Sequence, residues 1–358
     1  MKTNFRKAAT RLKMKCYLIG VLCLITFFGV STAAAQDKPV ELKLAIPEGV
    51  KAVRTVYGHQ KWSDALEKAS NGMIKVSLFP SGSLVSPKQA YDATINGLAD
   101  VSCISIGHYP GRFPLTESLS FPGSGISNPK MATNIIMTMY AKYPQMQKEF
   151  RQIKPLFFFG FAPISIAMVK KPVRSWEDLK GIRLRVNHKG SADYLKMAGA
   201  SPGFIAPADI FLNLQKGIID GSVMGWAGHH AYGITKLAQY FTEVPSVPGP
   251  FFAYIMNKRK FESLSEEQKA AVLSVSGDVG AQILARTGVK EIEVATKSIR
   301  EDTSKQIIQL TAQEENLWAR KAMAAQKKLI EKMEKRGLPI RQFIQDVKEL
   351  VKAEKDKD

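Results

Sequence analysis

The chain has 358 residues and a formal net charge of +19, from 51 Lys and Arg against 32 Asp and Glu. This length can bury a large core and exceeds what one domain usually needs. The positive charge invites a nucleic-acid partner, but the basic residues are scattered and no known DNA- or RNA-binding motif accompanies them. We therefore predict no nucleic-acid partner.

The first 35 residues have the pattern of a secretory signal peptide, which predicts export. Six Lys and Arg and no acid precede an apolar run of 15 residues, Cys16–Val30, and the small residues Ala33 and Ala35 follow. We expect cleavage after Ala35, which leaves a net charge of +13. The apolar run is short for a membrane-spanning helix, so an uncleaved anchor is the less favoured alternative.

Downstream of this leader, apolar runs of strand length alternate with segments of helix length. Such alternation predicts a mostly parallel α/β sheet. Cys103, the one cysteine outside the leader, lies in an apolar run and is expected to be a small buried hydrophobe. The predicted strands are Glu41–Ile46, Ile74–Phe79, Val101–Ile106, Leu156–Phe161, Ile182–Val186, Ser222–Trp226 and Phe251–Asn257, and the helical segments between them include Val56–Lys68, Pro87–Asn96 and Pro207–Lys216.

After Glu262 the sequence becomes mainly helical. A capping signature opens this part, formed either by Ser263 with Glu266 or by Ser265 with Gln268. Residues 289–336 contain no glycine or proline, which predicts one long helix, and a last helix with a frayed charged end follows.

A weak internal repeat indicates two lobes built from the same strand–helix–strand unit. Each copy has a proline at a helix start, an aromatic residue one turn on, a glycine at the helix end and an aspartate before a strand. Chance similarity of helix punctuation is the alternative. The two copies, offset by 120 residues, are Pro87, Tyr91, Gly97 and Asp100, and Pro207, Phe211, Gly217 and Asp220.

The stretch GIRLRV, residues 181–186, alternates apolar and cationic side chains. A strand sends successive side chains to opposite faces, so Arg183 and Arg185 share one face. On an exposed face the two arginines mean little, whereas a guanidinium in a cleft needs a partner of opposite charge. A ligand carboxylate can supply two parallel charge-assisted hydrogen bonds, a geometry that lysine cannot match.

Several segments together carry a family resemblance. They are GMIKVSLFPSGSLVSPKQAYDATINGLADVSCISIGHYPGRFPLTESLSFPG, KKPVRSWEDLKGIRLRV, ASPGFIAPADIFLNLQKGIIDGSVMGW and, more loosely, PFFAYIMNKRKFESLSEEQKAAV. From about Leu42 to Val272 the chain resembles, segment by segment, the solute-binding proteins of TRAP transporters, the DctP-like family.

This resemblance implies a periplasmic receptor with two hinged α/β lobes and long C-terminal helices. Such a receptor captures an organic anion in the cleft between the lobes and delivers it to the membrane subunits of a sodium-driven TRAP permease. We expect lobe I to comprise residues 36–158 and 247–290, and lobe II residues 159–246 and 291–358, with a long helix that bridges both lobes. We expect no cofactor, and a monomer is favoured over a dimer.

The resemblance places the ligand carboxylate on Arg185, because one arginine in the strand after DLKG serves this role in the family. Arg183 is the less secure candidate, and an exposed ion pair is the favoured interpretation of it. Many relatives have a polar run after the Gly-x-x-Asp-Gly turn, where this chain has Met224, Gly225 and Trp226. Met and Trp form a large apolar wall, which favours a monocarboxylate with an aromatic or aliphatic body. Both could instead belong to the core.

Four further residues are weaker candidates for ligand contact. Arg112 lies in an expected cleft-edge loop that also holds His108 and Tyr109, but it could be an ordinary surface residue. Phe161 and Ser165 lie where the chain would cross between the lobes, as wall or as hinge. Glu48 follows the first strand, near a strand end where open α/β sheets bind ligands, and it could equally face solvent. The remaining four candidates are thus Arg112, Phe161, Ser165 and Glu48.

The sequence contains no recognised catalytic motif, so we predict no enzymatic activity. No Gly-x-Ser-x-Gly, His-Glu-x-x-His or phosphate loop occurs in the sequence. His229 and His230 are adjacent and point about 100° apart on a helix, so we predict no metal site there. The open alternatives are a receptor that serves a sensor or another transporter class, an enzyme that acts on organic acids, and a wall-associated structural protein.

Overall fold

The computed structural model describes residues 39–162, 164–186, 189–244, 246–247 and 249–356. The predicted signal peptide, with its cleavage site after Ala35, lies outside the described residues. No helix within the described ranges combines the length and apolar character needed to cross a membrane.

Two mixed sheets form the framework of the described chain. The first has the strand order β2-β1-β3-β10-β4 and the second the order β11-β9-β5-β8-β6-β7. The strands are β1 Val40–Ala45, β2 Ile74–Phe79, β3 Val101–Ser105, β4 Lys154–Gly160, β5 Ile164–Met168, β6 Arg183–Val186, β7 Ser201–Phe204, β8 Gly221–Gly225, β9 Tyr240–Val244, β10 Phe251–Met256 and β11 Gln306–Ile308. Every predicted strand therefore exists, whereas β5, β7, β9 and β11 were not predicted.

The sheets are less parallel than the alternation of strands and helices predicts. Strands β1, β2 and β3 pair in parallel, as do β6, β7 and β8, and β9 with β11. In contrast, β10 pairs antiparallel with β3 and β4, and β5 pairs antiparallel with β8 and β9. All the antiparallel pairs involve β5 or β10. These are the first strands after the chain passes from one sheet to the other, from β4 to β5 and from β9 to β10.

Helices cover both sheets and form most of the C-terminal part. The α-helices are Gln60–Ala69, Ala90–Asn96, Pro114–Ser118, Pro129–Lys142, Pro144–Glu149, Lys189–Lys196, Ile210–Gln215, Trp226–Ala231, Lys258–Glu262, Glu266–Ser274, Gly277–Arg300, Ala312–Glu334 and Ile340–Lys355. A π-helix, Thr55–His59, precedes the first of them, and short 3₁₀ turns occur at Ile106–His108, Glu177–Leu179, Pro207–Asp209 and Ile234–Lys236.

The single long helix expected for residues 289–336 is wrong. One helix ends at Arg300, strand β11 follows, and a second helix begins at Ala312. Asp302 breaks the pattern, because its side chain accepts the Ser304 N–H (3.1 Å) and its carbonyl accepts the Lys305 N–H (2.9 Å), as in an Asx turn.

The capping signature near residue 265 is the second of the two alternatives. Ser265 Oγ accepts the Gln268 N–H over 3.2 Å, and Gln268 Oε1 accepts the Ser265 N–H over 3.0 Å. This reciprocal capping box satisfies two donors of the helix Glu266–Ser274.

The two copies of the sequence repeat end their helices in the same way. Gly97 and Gly217 both have left-handed backbones, with φ of +81° and +67°. In each copy the N–H of the following residue donates to a carbonyl in the helix over 2.9 Å. Glycine adopts this conformation without steric cost, so both positions stop a helix where a short turn must lead into a strand.

The repeat aspartates hold equivalent strand pairs together. Asp100 Oδ2 accepts the Lys43 N–H over 2.9 Å, and Asp220 Oδ2 accepts the Arg183 N–H over 2.8 Å. Each aspartate N–H also donates to the carbonyl of the same strand residue. The two units therefore share their geometry as well as their spacing.

The equivalence continues along these strands. Two residues after Lys43 comes Ala45, which pairs with Ser102, and two residues after Arg183 comes Arg185, which pairs with Ser222. Arg185, the predicted carboxylate anchor, thus has the small apolar residue Ala45 as its equivalent in the first sheet.

Each sheet separates two apolar clusters. Cys103 is buried in one cluster against the first sheet, as predicted. The last helix packs Ile340, Phe343 and Val347 into the other cluster of this sheet. This placement differs from the expected division of the lobes, which assigns residues 291–358 to lobe II.

Candidate functional site

A cavity lies where residues of both sheets meet. Its volume is about 100 Å³, whereas a single water needs roughly 10–15 Å³, so the cavity has room for a small organic molecule. Ser105 at the end of β3 and Phe252 of β10 come from the first sheet, and Arg185 of β6 and Met224 of β8 come from the second.

Arg185 is a buried cation in the wall of this cavity. It is 3% exposed, and its Nε donates to the Ile205 carbonyl over 3.1 Å. Its Nη1 is buried and has no hydrogen-bond partner, and no carboxylate lies within 4.0 Å of the guanidinium, among the residues that the structure describes. Burial lowers the pKa of Arg185 to about 10, and Tyr232 opposes this effect. The group is charged at neutral pH and has no carboxylate partner in the ranges that the structure describes.

Arg54 is the second buried arginine of the cavity, and it is fully paired. Its Nη1 donates to Glu48 Oε1, and its Nη2 and Nε donate to Glu291 Oε2 over 2.9 and 3.3 Å. The guanidinium carbon also lies 4.0 Å from the ring centre of Phe161 and 5.0 Å from that of Phe252. We call the set Glu48, Arg54 and Glu291 the acidic clamp, because it holds two carboxylates and one cation.

Glu48 also receives a hydrogen bond from behind the cavity. His59 Nε2 lies 3.0 Å from Glu48 Oε2, and His59 Nδ1 contacts the Tyr254 hydroxyl. Burial opposes ionisation of Glu48, but Arg54 and the bond from His59 outweigh it and lower the pKa of Glu48 to about 2. Glu291 differs, because burial exceeds the effect of Arg54 and raises its pKa above the usual value.

The rest of the wall is largely apolar. Phe161, Phe252, Met224 and Trp226 line the cavity and are all buried. Trp226 begins a short helix and packs on Phe241, with ring centres 5.8 Å apart. Such a wall binds an apolar body of matching shape.

Two histidines, the half-buried His108 and the buried His229, are neutral at neutral pH. Burial is the main cause that lowers the pKa of His108 and of His229, each to about 4, and Arg185 adds to the effect in both. His108 lines the cavity, with its Nδ1 buried and unpartnered within the described chain. His229 lies deeper, where its Nε2–H donates to the Ser165 carbonyl over 3.2 Å.

The cavity brings together five of the seven residues that the sequence singles out. Arg185, Trp226, Met224, Phe161 and Glu48 all line it. That these residues contact a ligand stays a prediction. Arg185 is buried in the cavity wall, as a carboxylate anchor requires.

Ser165 and Arg112 do not line the cavity. Ser165 is fully buried in β5, where it pairs with Met224 of β8, and it is not among the residues that line the cavity. Arg112 is largely exposed and pairs with Asp92 over 2.6 Å. Arg112 is therefore placed as an ordinary surface residue would be, which is the alternative to ligand contact for this arginine.

Arg183 forms an exposed ion pair, as favoured from the sequence. Its Nη2 lies 2.6 Å from Asp220 Oδ1, and its Nε donates to Asp220 Oδ2 over 3.0 Å. The pair lowers the pKa of Asp220, mainly through the hydrogen bond from Arg183.

Four residues line the cavity although the sequence does not reveal them: Arg54, Glu291, Tyr232 and Phe252. Arg54 and Glu291 lie 237 positions apart, and neither belongs to a motif. Tyr232 follows the helix Trp226–Ala231 and has no pattern that distinguishes it from a core residue. No group of three His, Cys, Asp or Glu side chains in the described ranges has the geometry to hold a metal ion.

A cavity that is lined from two sheets and has in its wall a cation without a carboxylate partner among the described residues is typical of a small-ligand binding site. The chain belongs to the DctP family of bacterial extracellular solute-binding proteins, family 7, whose profile matches residues 53–352. The resemblance seen in the sequence is therefore confirmed.

Relatives and solved structures agree with this assignment. The chain is 26% identical over 201 residues to the sialic acid-binding periplasmic protein SiaP of Vibrio cholerae, covering 55% of this chain and 61% of the relative. A TRAP solute-binding protein of Rhodoferax ferrireducens with copurified benzoate has a TM-score of 0.83 at 23% identity, over 88% of this chain and 99% of that one. A marine metagenome TRAP protein specific for aromatic acids, with bound metahydroxyphenylacetate, has a TM-score of 0.80 at 24% identity over the same shares. The predicted two-lobed α/β fold is confirmed.

Proposed function

We propose that the protein is the periplasmic receptor of a TRAP transporter and binds a monocarboxylate with an apolar or aromatic body. Arg185 holds the carboxylate, and the protein then delivers the acid to the membrane subunits of the permease. The observation that carries the proposal is the buried guanidinium of Arg185, which faces a cavity and has no carboxylate partner in the described chain.

A carboxylate ligand removes the free-energy cost of leaving this cation without a partner. A buried charge without a partner is strongly unfavourable. A carboxylate replaces lost hydration with two parallel charge-assisted hydrogen bonds. Because the cavity is lined from both sheets, ligand contacts form fully only when the two lobes are closed, so binding favours the closed form.

The apolar wall supports the body of the proposed ligand. Phe161, Met224, Trp226 and Phe252 supply aromatic and sulfur surface around the cavity. The benzoate and metahydroxyphenylacetate in the two solved relatives have such a body and one carboxylate. The family supports a receptor that binds without turnover, export by the predicted signal peptide and a permease as the membrane partner.

A thermal-shift screen of the purified mature protein tests the proposal. A ligand that binds only the folded form stabilises it by about 2.7 kcal/mol at a hundredfold excess over Kd, which is a shift of several degrees. We expect benzoate, hydroxyphenylacetate or an aliphatic monocarboxylate to raise the Tm, and the matching amide to leave it unchanged. The recovered acid should be chemically intact. A screen in which no carboxylate shifts the Tm, or in which the acid is consumed, contradicts the proposal.

A further inference from the structure

The acidic clamp, which the proposed function leaves unused, carries a net negative charge inside the cavity. All three nitrogens of the Arg54 guanidinium donate to carboxylates, two of them to Glu291 and one to Glu48. Each of the three residues is at most 7% exposed. Two carboxylates share one guanidinium, so the clamp has a formal net charge of −1.

Arg54 is therefore not a second anchor for an anion. Each of its three nitrogens donates to a carboxylate of the clamp, and the rings of Phe161 and Phe252 lie over its guanidinium. Two carboxylates already neutralise this cation, so a further anionic group gains little from it. The two arginines of the cavity thus have opposite roles, because one lacks a partner and the other has two.

The clamp and Arg185 line the same cavity but come from different sheets. Glu48 follows strand β1 of the first sheet, whereas Arg185 lies in strand β6 of the second. The carboxylates of the clamp pair with Arg54, and neither lies within 4.0 Å of the Arg185 guanidinium. A ligand whose carboxylate is bound to Arg185 therefore directs its far end towards the clamp.

We infer that the acidic clamp is a charge filter that determines the specificity of the receptor, and that it excludes acids with a second negative charge at the end away from Arg185. This inference rests on the proposed function and adds its selectivity. The ligand class is then a monoanion with an uncharged far end. Like charges brought together in a desolvated site cost several kcal/mol, so a dianion of the same shape should bind at least about 100-fold more weakly.

Shape-matched acids separate charge from size. Nitro and carboxylate groups are both planar and nearly equal in size, but only the carboxylate is charged at pH 7.5. The probes are 3-nitrobenzoate with benzene-1,3-dicarboxylate, and 4-nitrobenzoate with benzene-1,4-dicarboxylate, each titrated by calorimetry. The wild-type protein should bind at least one nitro acid and reject the matching dicarboxylate.

The variant Glu291→Gln tests the assignment to the clamp. It keeps the shape of the side chain and leaves Arg54 paired with Glu48, so the net charge of the clamp becomes zero. We expect the preference for the nitro acid to fall at least about tenfold. The matched control is Glu293→Gln, which makes the same charge change on an exposed face of the same helix, Gly277–Arg300, and should keep the wild-type preference.

The outcomes are distinguishable. If Glu291→Gln binds the nitro acid normally and rejects the dicarboxylate as strongly as the wild type does, the charge filter is overturned while the proposed function stands. If the wild type binds a dicarboxylate as tightly as the matching nitro acid, the charge filter is likewise overturned while the proposed function stands. If it binds none of the four acids and no monocarboxylate raises its Tm in the screen, both proposals fail. Glu48→Gln neutralises the clamp from its other side and replaces Glu291→Gln if that variant does not fold.

Discussion

Arg183 and Arg185 lie two residues apart on the same strand, yet only Arg183 has a carboxylate partner in the described chain. The Asp220 carboxylate neutralises Arg183 at the surface, whereas Arg185 is buried and donates only to a backbone carbonyl. The same residue type thus has a structural role at one position and an unsatisfied charge at the other.

Arg185→Lys should weaken monocarboxylate binding although it keeps the charge. Lysine cannot form the two parallel hydrogen bonds of a guanidinium, and loss of a buried charge-pair partner typically costs about 2–5 kcal/mol. We expect the Kd to rise at least about tenfold, measured by calorimetry. Arg183→Lys is the matched control and should leave the Kd unchanged. An equal Kd for wild type and Arg185→Lys would show that the carboxylate binds elsewhere.

Gly288→Ala should reduce ligand affinity by displacing Phe161. An added Cβ would lie 2.3 Å from Phe161 Cε1, so the ring must move, and Phe161 lines the cavity over Arg54. Such overpacking costs about 1–3 kcal/mol of stability. We expect a lower Tm and a several-fold weaker Kd.

Gly280→Ala is the control for that experiment. The added Cβ would lie 2.4 Å from Phe157 Cε1. Phe157 is an aromatic residue that does not line the cavity. We expect it to lower the Tm with little change in the Kd. If both variants lose affinity equally, the effect of Gly288→Ala is general destabilisation rather than movement of the cavity wall.

His229 should make the protein less stable at mildly acidic pH. Its pKa is about 4 in the fold and 6.5 when unperturbed, because burial disfavours the charged form. The unfolded chain therefore binds more protons between these values, so the stability is fully present above pH 6.5 and is lost as the pH falls towards 4. For His229 alone, the free energy of unfolding should fall by about 2 kcal/mol from pH 7 to pH 5.

Urea denaturation at the two pH values measures this contribution. His229→Gln removes the titrating ring and keeps a donor for the Ser165 carbonyl, so its stability should depend less on pH than that of the wild type. His230→Gln changes the exposed neighbour and should keep the wild-type dependence. The interpretation is wrong if His229→Gln loses as much stability as the wild type does.

Asp100→Ala should destabilise the first sheet. The carboxylate accepts the Lys43 N–H and is 7% exposed, and a buried donor without its acceptor costs about 1–3 kcal/mol. Asp92→Ala removes an exposed partner of Arg112 and should change stability by less than about 0.5 kcal/mol. Chemical denaturation of both variants tests the difference, and equal effects would show that the aspartate does not hold the strands.

Local patterns in the sequence were sufficient to predict most strands and the position of Arg185. The alternation in GIRLRV requires a strand with one cationic face, and the family resemblance distinguishes its two arginines. The glycine and aspartate of the repeat predict a helix end and a strand start in both copies, which the structure shows at Gly97 and Gly217. These features depend on residues close together in sequence.

The features that could not be predicted depend on contacts between distant segments. Glu291 reaches Arg54 only because the helix Gly277–Arg300 crosses the cavity, and no local pattern shows this. Strand β11 has three residues and forms by pairing with β9. The helix that precedes β11 ends without glycine or proline, because Asp302 forms the turn. The absence of those two residue types from residues 289–336 therefore does not establish one continuous helix.

Ala45 and Arg185 occupy matching places in the two structural repeats, so the pseudo-symmetry of the backbone does not extend to the electrostatic field. If Arg185 holds the carboxylate as proposed, we expect a bound acid to take one orientation, with its carboxylate at the second sheet and its body towards the first. We then expect the acid to dock first on the lobe that carries Arg185, and the other lobe to close over it.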